Sequence, residues 1–159
     1  MSVRFALAVL FVSMSILGCS QPRVDARSSD IRPVIPAVYF EIPATDLDRA
    51  IAFYEALLGV TIERATIDGH PMGLFPEVQE GEGISGAIAS GESYRPSLDG
   101  TRIYFKVADL RATLAKARSL GSEVLYPATQ VAPDILVAEF KDPEGNRVAL
   151  IERGTPATP

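Results

Sequence analysis

The chain has 159 residues, of which 47% are hydrophobic, and a formal net charge of −5. That is room for one cored domain of about 100–150 residues. Acids and bases are mixed, so the basic face of a general nucleic-acid binder is absent. The one cysteine excludes internal disulfides and thiolate zinc clusters, and the one histidine leaves any metal site to carboxylates or to two chains.

The first eighteen residues read as a targeting segment. Arg4 supplies positive charge, and residues 5–17 form an apolar run broken only by two serines. The run is shorter than the ~20 residues that span a bilayer. Ile16-Leu17-Gly18-Cys19 follows, then Ser20. This resembles the bacterial lipobox, which implies a signal peptide over 1–18 and lipidation of Cys19. The expected location is the cell envelope, with a lipid anchor as the membrane contact. Ser20, rather than Asp, after the cysteine implies the outer membrane, facing the periplasm, in a Gram-negative host. Each buried acyl methylene contributes about 0.8 kcal/mol, so several chains together anchor stably. Residues 19–34 are the lipidated cysteine and a polar, proline-containing tether. Residues 35–153 are the expected domain, and 154–159 a disordered tail.

Within the domain one pattern occurs twice. YFEIPATDL (39–47) aligns with RIYFKVADL (102–110), placing Ile42 on Phe105, Ala44 on Val107, Asp46 on Asp109 and Leu47 on Leu110. Each block runs into an amphipathic stretch ending in Leu-Gly. The spacing of Leu47, Ile51, Tyr54 and Leu58 predicts a helix over 46–58 with one apolar face. Thr45 and Asp48 approximate a capping box, and Gly59 provides the stop. Leu110, Leu114 and Ala117 predict a second helix over 110–120, stopped by Gly121. Strands are expected at 60–67, 72–75 and 84–90 after the first helix, and at 123–126, 135–140 and 147–151 after the second. Asp68-Gly69, the glycines at 81 and 83, and Asp142-Pro143-Glu144-Gly145-Asn146 supply the turns. The order is βαβββ twice: an α+β fold in which two modules build a curved mixed sheet with helices outside and a cup inside.

The segments FEIPATDLDRAIAFYEALLG (40–59) and FKDPEGNRVALIE (140–152) carry a family resemblance. With the Phe53-Tyr54 pair and the 142–146 turn, they resemble the vicinal oxygen chelate superfamily of glyoxalase I, extradiol dioxygenases and bleomycin-resistance proteins. The resemblance implies metal ligands on the first strand of each module and on later strands. Carried over, those positions hold Tyr39, Arg102 and Ala149, with no carboxylate among residues 86–88. No metal and no other cofactor is therefore expected, and a dioxygenase set of two histidines and a carboxylate is beyond one chain.

Strand alternation puts Phe40, Ile42, Ala44, Ile103, Phe105 and Val107 on the helix side. The cup side then receives Tyr39, Glu41, Arg102, Tyr104, Lys106 and Arg147. Arg102 and Lys106 suit an anionic group, and Glu41 is the candidate acid/base. Alternatively, Glu41 pairs with Arg102 or Lys106 as a structural cluster. His70 is expected in an exposed turn, Phe53 and Tyr54 in the core, and Tyr94 either over the cup mouth or packed. The leading expectation is a metal-independent binder of a small, anionic molecule at the envelope. A metal-independent lyase or isomerase using Glu41 is the second, and a non-catalytic interaction lipoprotein the third. Homodimerisation is compatible with all three, since sheet edges invite pairing.

Overall fold

A computed structural model describes residues 37–79 and 83–154. The lipobox-like segment, Cys19, the 19–34 tether and residues 155–159 lie outside them. The first module runs β1 (Tyr39–Ala44), α1 (Leu47–Leu58), β2 (Glu63–Ile67), β3 (His70–Leu74) and β4 (Ser85–Ser90). The second runs β5 (Tyr104–Lys106), α2 (Leu110–Ser119), β6 (Glu123–Ala132), β7 (Ile135–Lys141) and β8 (Arg147–Arg153). Sheet order is β1-β4-β3-β2 in one and β5-β8-β7-β6 in the other, so the repeat traces one path twice. The outer pairs β1/β4 and β5/β8 are parallel, and the remaining pairs antiparallel. The α+β fold of two βαβββ modules expected from the sequence is present as two four-stranded mixed sheets, which among the described residues share no strand pairing.

Local chemistry explains the element ends. Asp46, not Thr45, caps α1: its carboxylate accepts from the Arg49 N–H at 3.0 Å. Thr45 is occupied elsewhere, donating its hydroxyl to Glu144 at 2.8 Å. Gly59 takes the left-handed conformation at φ 71° and donates its N–H to the Glu55 carbonyl, which closes the helix. Asp109 caps α2 in the same way, through the Ala112 N–H at 2.9 Å. β2 begins only at Glu63 because the Ile62 N–H is taken by the Glu55 side chain. Asp68 and Gly69 have φ of 50° and 77°, forming a two-residue hairpin between Ile67 and His70. That turn draws His70 into β3 as its first residue, correcting its expected place in an exposed loop. β6 is longer than expected and bears register shifts; it is an edge strand, where Pro127 removes no ladder bond the sheet needs.

The core reveals how the modules are joined. Ile51 of α1 packs against Gly73 of β3, where even a methyl group would come within 2.8 Å. Phe53, about 200° further round the helix, meets Phe140 of β7 at a ring separation of 6.0 Å. The first helix is therefore buried on two sides, by its own sheet and by the sheet of the second module. Ile42, Ala44 and Ile88 from one sheet share a single cluster with Phe140, Val148 and Leu150 from the other. Fully burying side chains of this size contributes about 1.5–3 kcal/mol each. Because the helix-side faces of both sheets line this one core, their opposite faces lie outside it.

The turn between β7 and β8 locks the arrangement. Asp142, 2% exposed, accepts from the backbone N–H groups of Glu144, Gly145 and Asn146, from the Asn146 amide and from the Tyr54 hydroxyl. Asn146 also donates to the Pro43 carbonyl of β1 at 2.8 Å. Burial first, and then the Asp142 charge and hydrogen bond, push the Tyr54 phenol well above its ordinary range. It acts as a neutral donor, and the Phe53-Tyr54 pair is core, as expected.

Candidate functional site

The six residues expected to share a cup divide between the two outward faces. On the first, the cross-strand rows read Glu41, Ala87, Leu74 and Glu63, then Pro43, Ala89, Met72 and Ala65. Met72, Ala87 and Ala89 form a small apolar cluster separate from the main core. Tyr94, carried by the segment joining the modules, packs on this patch with its ring 5.3 Å from His70, edge to face. Any side chain at Gly91 would bring a carbon within 2.5 Å of His70 Nδ1, so glycine is what lets the linker turn in so closely. Burial, followed by the neighbouring Glu41 carboxylate, raises the Tyr94 phenol; Tyr39 and Asp68 add to it. Tyr39 is raised by burial and then by Glu41. Tyr39, Glu41, Tyr94, His70 and Asp68 are thus one neighbourhood. Glu41 makes no ion pair with Arg102 or Lys106, which corrects the structural cluster that pairing would have made.

The second face carries the opposite sign. Its central row reads Tyr104, Ala149, Glu139 and Tyr126. Glu139 is 8% exposed. Arg147 Nε lies 2.8 Å from it and Arg102 Nε 3.6 Å. The Arg147 contact is a close ion pair whose angle does not make a hydrogen bond, so its buried Nε–H remains unsatisfied. Two guanidiniums share one carboxylate, leaving a surplus of positive charge between two half-exposed tyrosines. Glu139 and Tyr126 escaped the sequence reading, because the charge stands inside the apolar run Ile135–Lys141; strict alternation from Arg147 and Ala149 across the hairpin would have found them.

Arg102, Tyr104 and Lys106 also border a groove of about 910 Å³ along the free edge of β5. Its floor is the mutually packed ring set of Phe40, Phe75 and Phe105, with centroids 5.6–5.9 Å apart. Tyr39, Glu41 and Arg147 do not line it.

The metal positions that the resemblance implies do not suit a divalent ion in this chain. Arg102 brings positive charge, Tyr39 a phenol raised above its ordinary range, and Ala149 and Gly86–Ile88 no donor side chain. Among the described residues no three His, Cys, Asp or Glu side chains converge on a metal-sized site.

Comparison with known proteins agrees with this architecture. Residues 37–150 match the family model of the glyoxalase/bleomycin resistance protein/dioxygenase superfamily. A glyoxylase-like domain-containing protein of Didymella fabae is 30% identical over 117 residues, covering 71% of this chain and 90% of that protein. TnmS3, an antibiotic binding protein from Streptomyces sp. CB03234, superposes with a TM-score of 0.56 at 20% identity, over 76% of this chain and 98% of its own. A glyoxalase I mutant from Zea mays gives 0.54 at 17% identity, over 74% of this chain but only 46% of its own. The chain belongs to the glyoxalase/bleomycin resistance protein/dioxygenase superfamily.

Proposed function

We propose that this chain is a metal-independent binding domain for a small anionic molecule, held at the cell envelope through Cys19. The observation that carries the reading is the Arg102–Glu139–Arg147 cluster. Guanidiniums recognise carboxylates and phosphates through paired donors, and the buried Arg147 Nε–H lacks a well-angled acceptor. Tyr104 and Tyr126 supply aromatic flanks. TnmS3, of similar fold, is described as antibiotic binding, a precedent by likeness only. Among the described residues no ion pair joins the two outward faces of one chain, so the cup is proposed to form between two copies, the first face of one meeting the second face of its partner. Bleomycin-resistance proteins, typically dimers, are the analogy.

Calorimetric titration of aromatic and aliphatic carboxylates tests the assignment. Arg147→Gln is expected to weaken binding at least tenfold, since hydrogen bonds to charged groups are each worth about 1.5–3 kcal/mol. A well-folded protein that binds no anion overturns it. Anchoring has its own check: Cys19→Ser should abolish incorporation of labelled palmitate and release the chain from the membrane fraction, and unchanged fractionation would exclude the lipid anchor. The lyase or isomerase alternative turns on Glu41, and turnover that survives Glu41→Gln would remove it. The interaction-lipoprotein alternative predicts neither ligand nor turnover.

A further inference from the structure

The two outward faces differ in charge, and that difference bears on the ligand. The second face presents Arg102 and Arg147 around a single carboxylate. The first presents Glu41 and Asp68 beside the rings of Tyr39, Tyr94 and His70, on a floor of alanine and methionine. Among the described residues neither Glu41 nor Asp68 is ion-paired. Arg64, the cation on the adjoining strand β2, is committed to Asp48 of α1 at 2.6 Å. Arg95 follows Tyr94 along the linker and pairs with neither carboxylate. Aromatic faces with a carboxylate alongside are the surroundings that favour an organic ammonium, through ring quadrupole and charge together.

We propose that the molecule bound in the cup is zwitterionic, with its anionic group against Arg102 and Arg147 of one copy and an ammonium against Glu41, Tyr39 and Tyr94 of the other. This rests on the two-copy cup proposed above and adds the class of ligand. A purely anionic molecule would leave Glu41 facing it without a counter-charge, and like charges brought together in a site shielded from water repel. A zwitterion satisfies both faces at once. Tyr94, fixed on the first face by the linker, is then a specificity-determining residue: its ring bounds the ammonium end, and its size limits how many carbons the cation can bear.

The test is isothermal titration of the full chain with three matched series. The first is the ω-amino acids of four to eight carbons together with 4-(aminomethyl)benzoate; the second and third are the corresponding carboxylates and amines with the other charge removed. The tightest zwitterion is expected to bind at least tenfold more strongly than either of its singly charged parents. Glu41→Gln is expected to erase that advantage over the carboxylate parent, and Arg147→Gln to weaken zwitterion and carboxylate alike. Carboxylates that match their zwitterions throughout would overturn the zwitterion proposal and leave the anion site standing. Amines binding alone would overturn both. Absence of binding in all three series would also overturn both, and is the result expected if the opposed faces pair directly with each other.

Discussion

Glu144 joins the modules with one carboxylate. It accepts from the Thr45 N–H and hydroxyl, the Asp46 N–H, and the Arg49 guanidinium at 2.7 and 3.0 Å. Burial alone would raise its pKa, but the donors from Arg49, Asp46 and Thr45 together prevail and hold it below the ordinary 4.5. With a folded-state pKa below the unfolded one, the unfolded chain binds more protons in that range. The stabilisation is fully present above about pH 5 and is lost as the pH falls through the folded value. Glu144→Gln should therefore cost about 1–3 kcal/mol at pH 7 and flatten the acid limb of the stability curve. Urea unfolding of both proteins from pH 3 to 7 measures this, and parallel curves would refute it. Exposed Arg64–Asp48, by contrast, should contribute at most about 1 kcal/mol despite its short distance.

At the level of elements, the sharpest constraint is the contact between β3 and α1. A methyl group on Gly73 would meet Ile51 at 2.8–2.9 Å and Ile62 at 2.9 Å. β-Branched side chains cannot easily swing aside, so Gly73→Ala should destabilise by about 1–3 kcal/mol through overpacking. Adding Ile51→Val should recover part of that loss; additive losses in thermal unfolding would show that the strain lies elsewhere. Much of this layer was legible from the chain. The Leu47/Ile51/Tyr54/Leu58 stripe, the Asp-Gly turn and the repeated Asp-Leu opening each act over a few residues. What joins the modules was not legible. Phe53 reads as a partner of Tyr54 in one core, whereas it faces a second sheet whose first strand begins only at Tyr104. Nor could Tyr94 be placed, since nothing local to a linker states which surface it crosses. The charges were assigned to one cup for the same reason: alternation fixes the face of each strand but not the relation between the sheets.

For the molecule as a whole, the outward faces make a specific demand on assembly. If each cup takes its first face from one copy and its second from the other, defects on different faces complement. Glu41→Gln and Arg147→Gln chains, each weak alone, should regain tight zwitterion sites when unfolded and refolded together in equal amounts. Random twofold pairing makes about half the dimers mixed, each with one intact cup, so about one quarter of the wild-type sites should return. Calorimetric stoichiometry reads this directly, and zero recovery would place the ligand on a single chain. The helix held between the sheets also bears on whether either half could stand alone. The two modules share one strand order and one capping pattern. A lone first module would have an uncovered helix and need a twin against it. The halves differ in one respect: the first helix is buried on both sides, while the second gives more of its surface to solvent. Cut in the segment between Ser90 and Tyr104, each half would expose the surface that now forms the common centre.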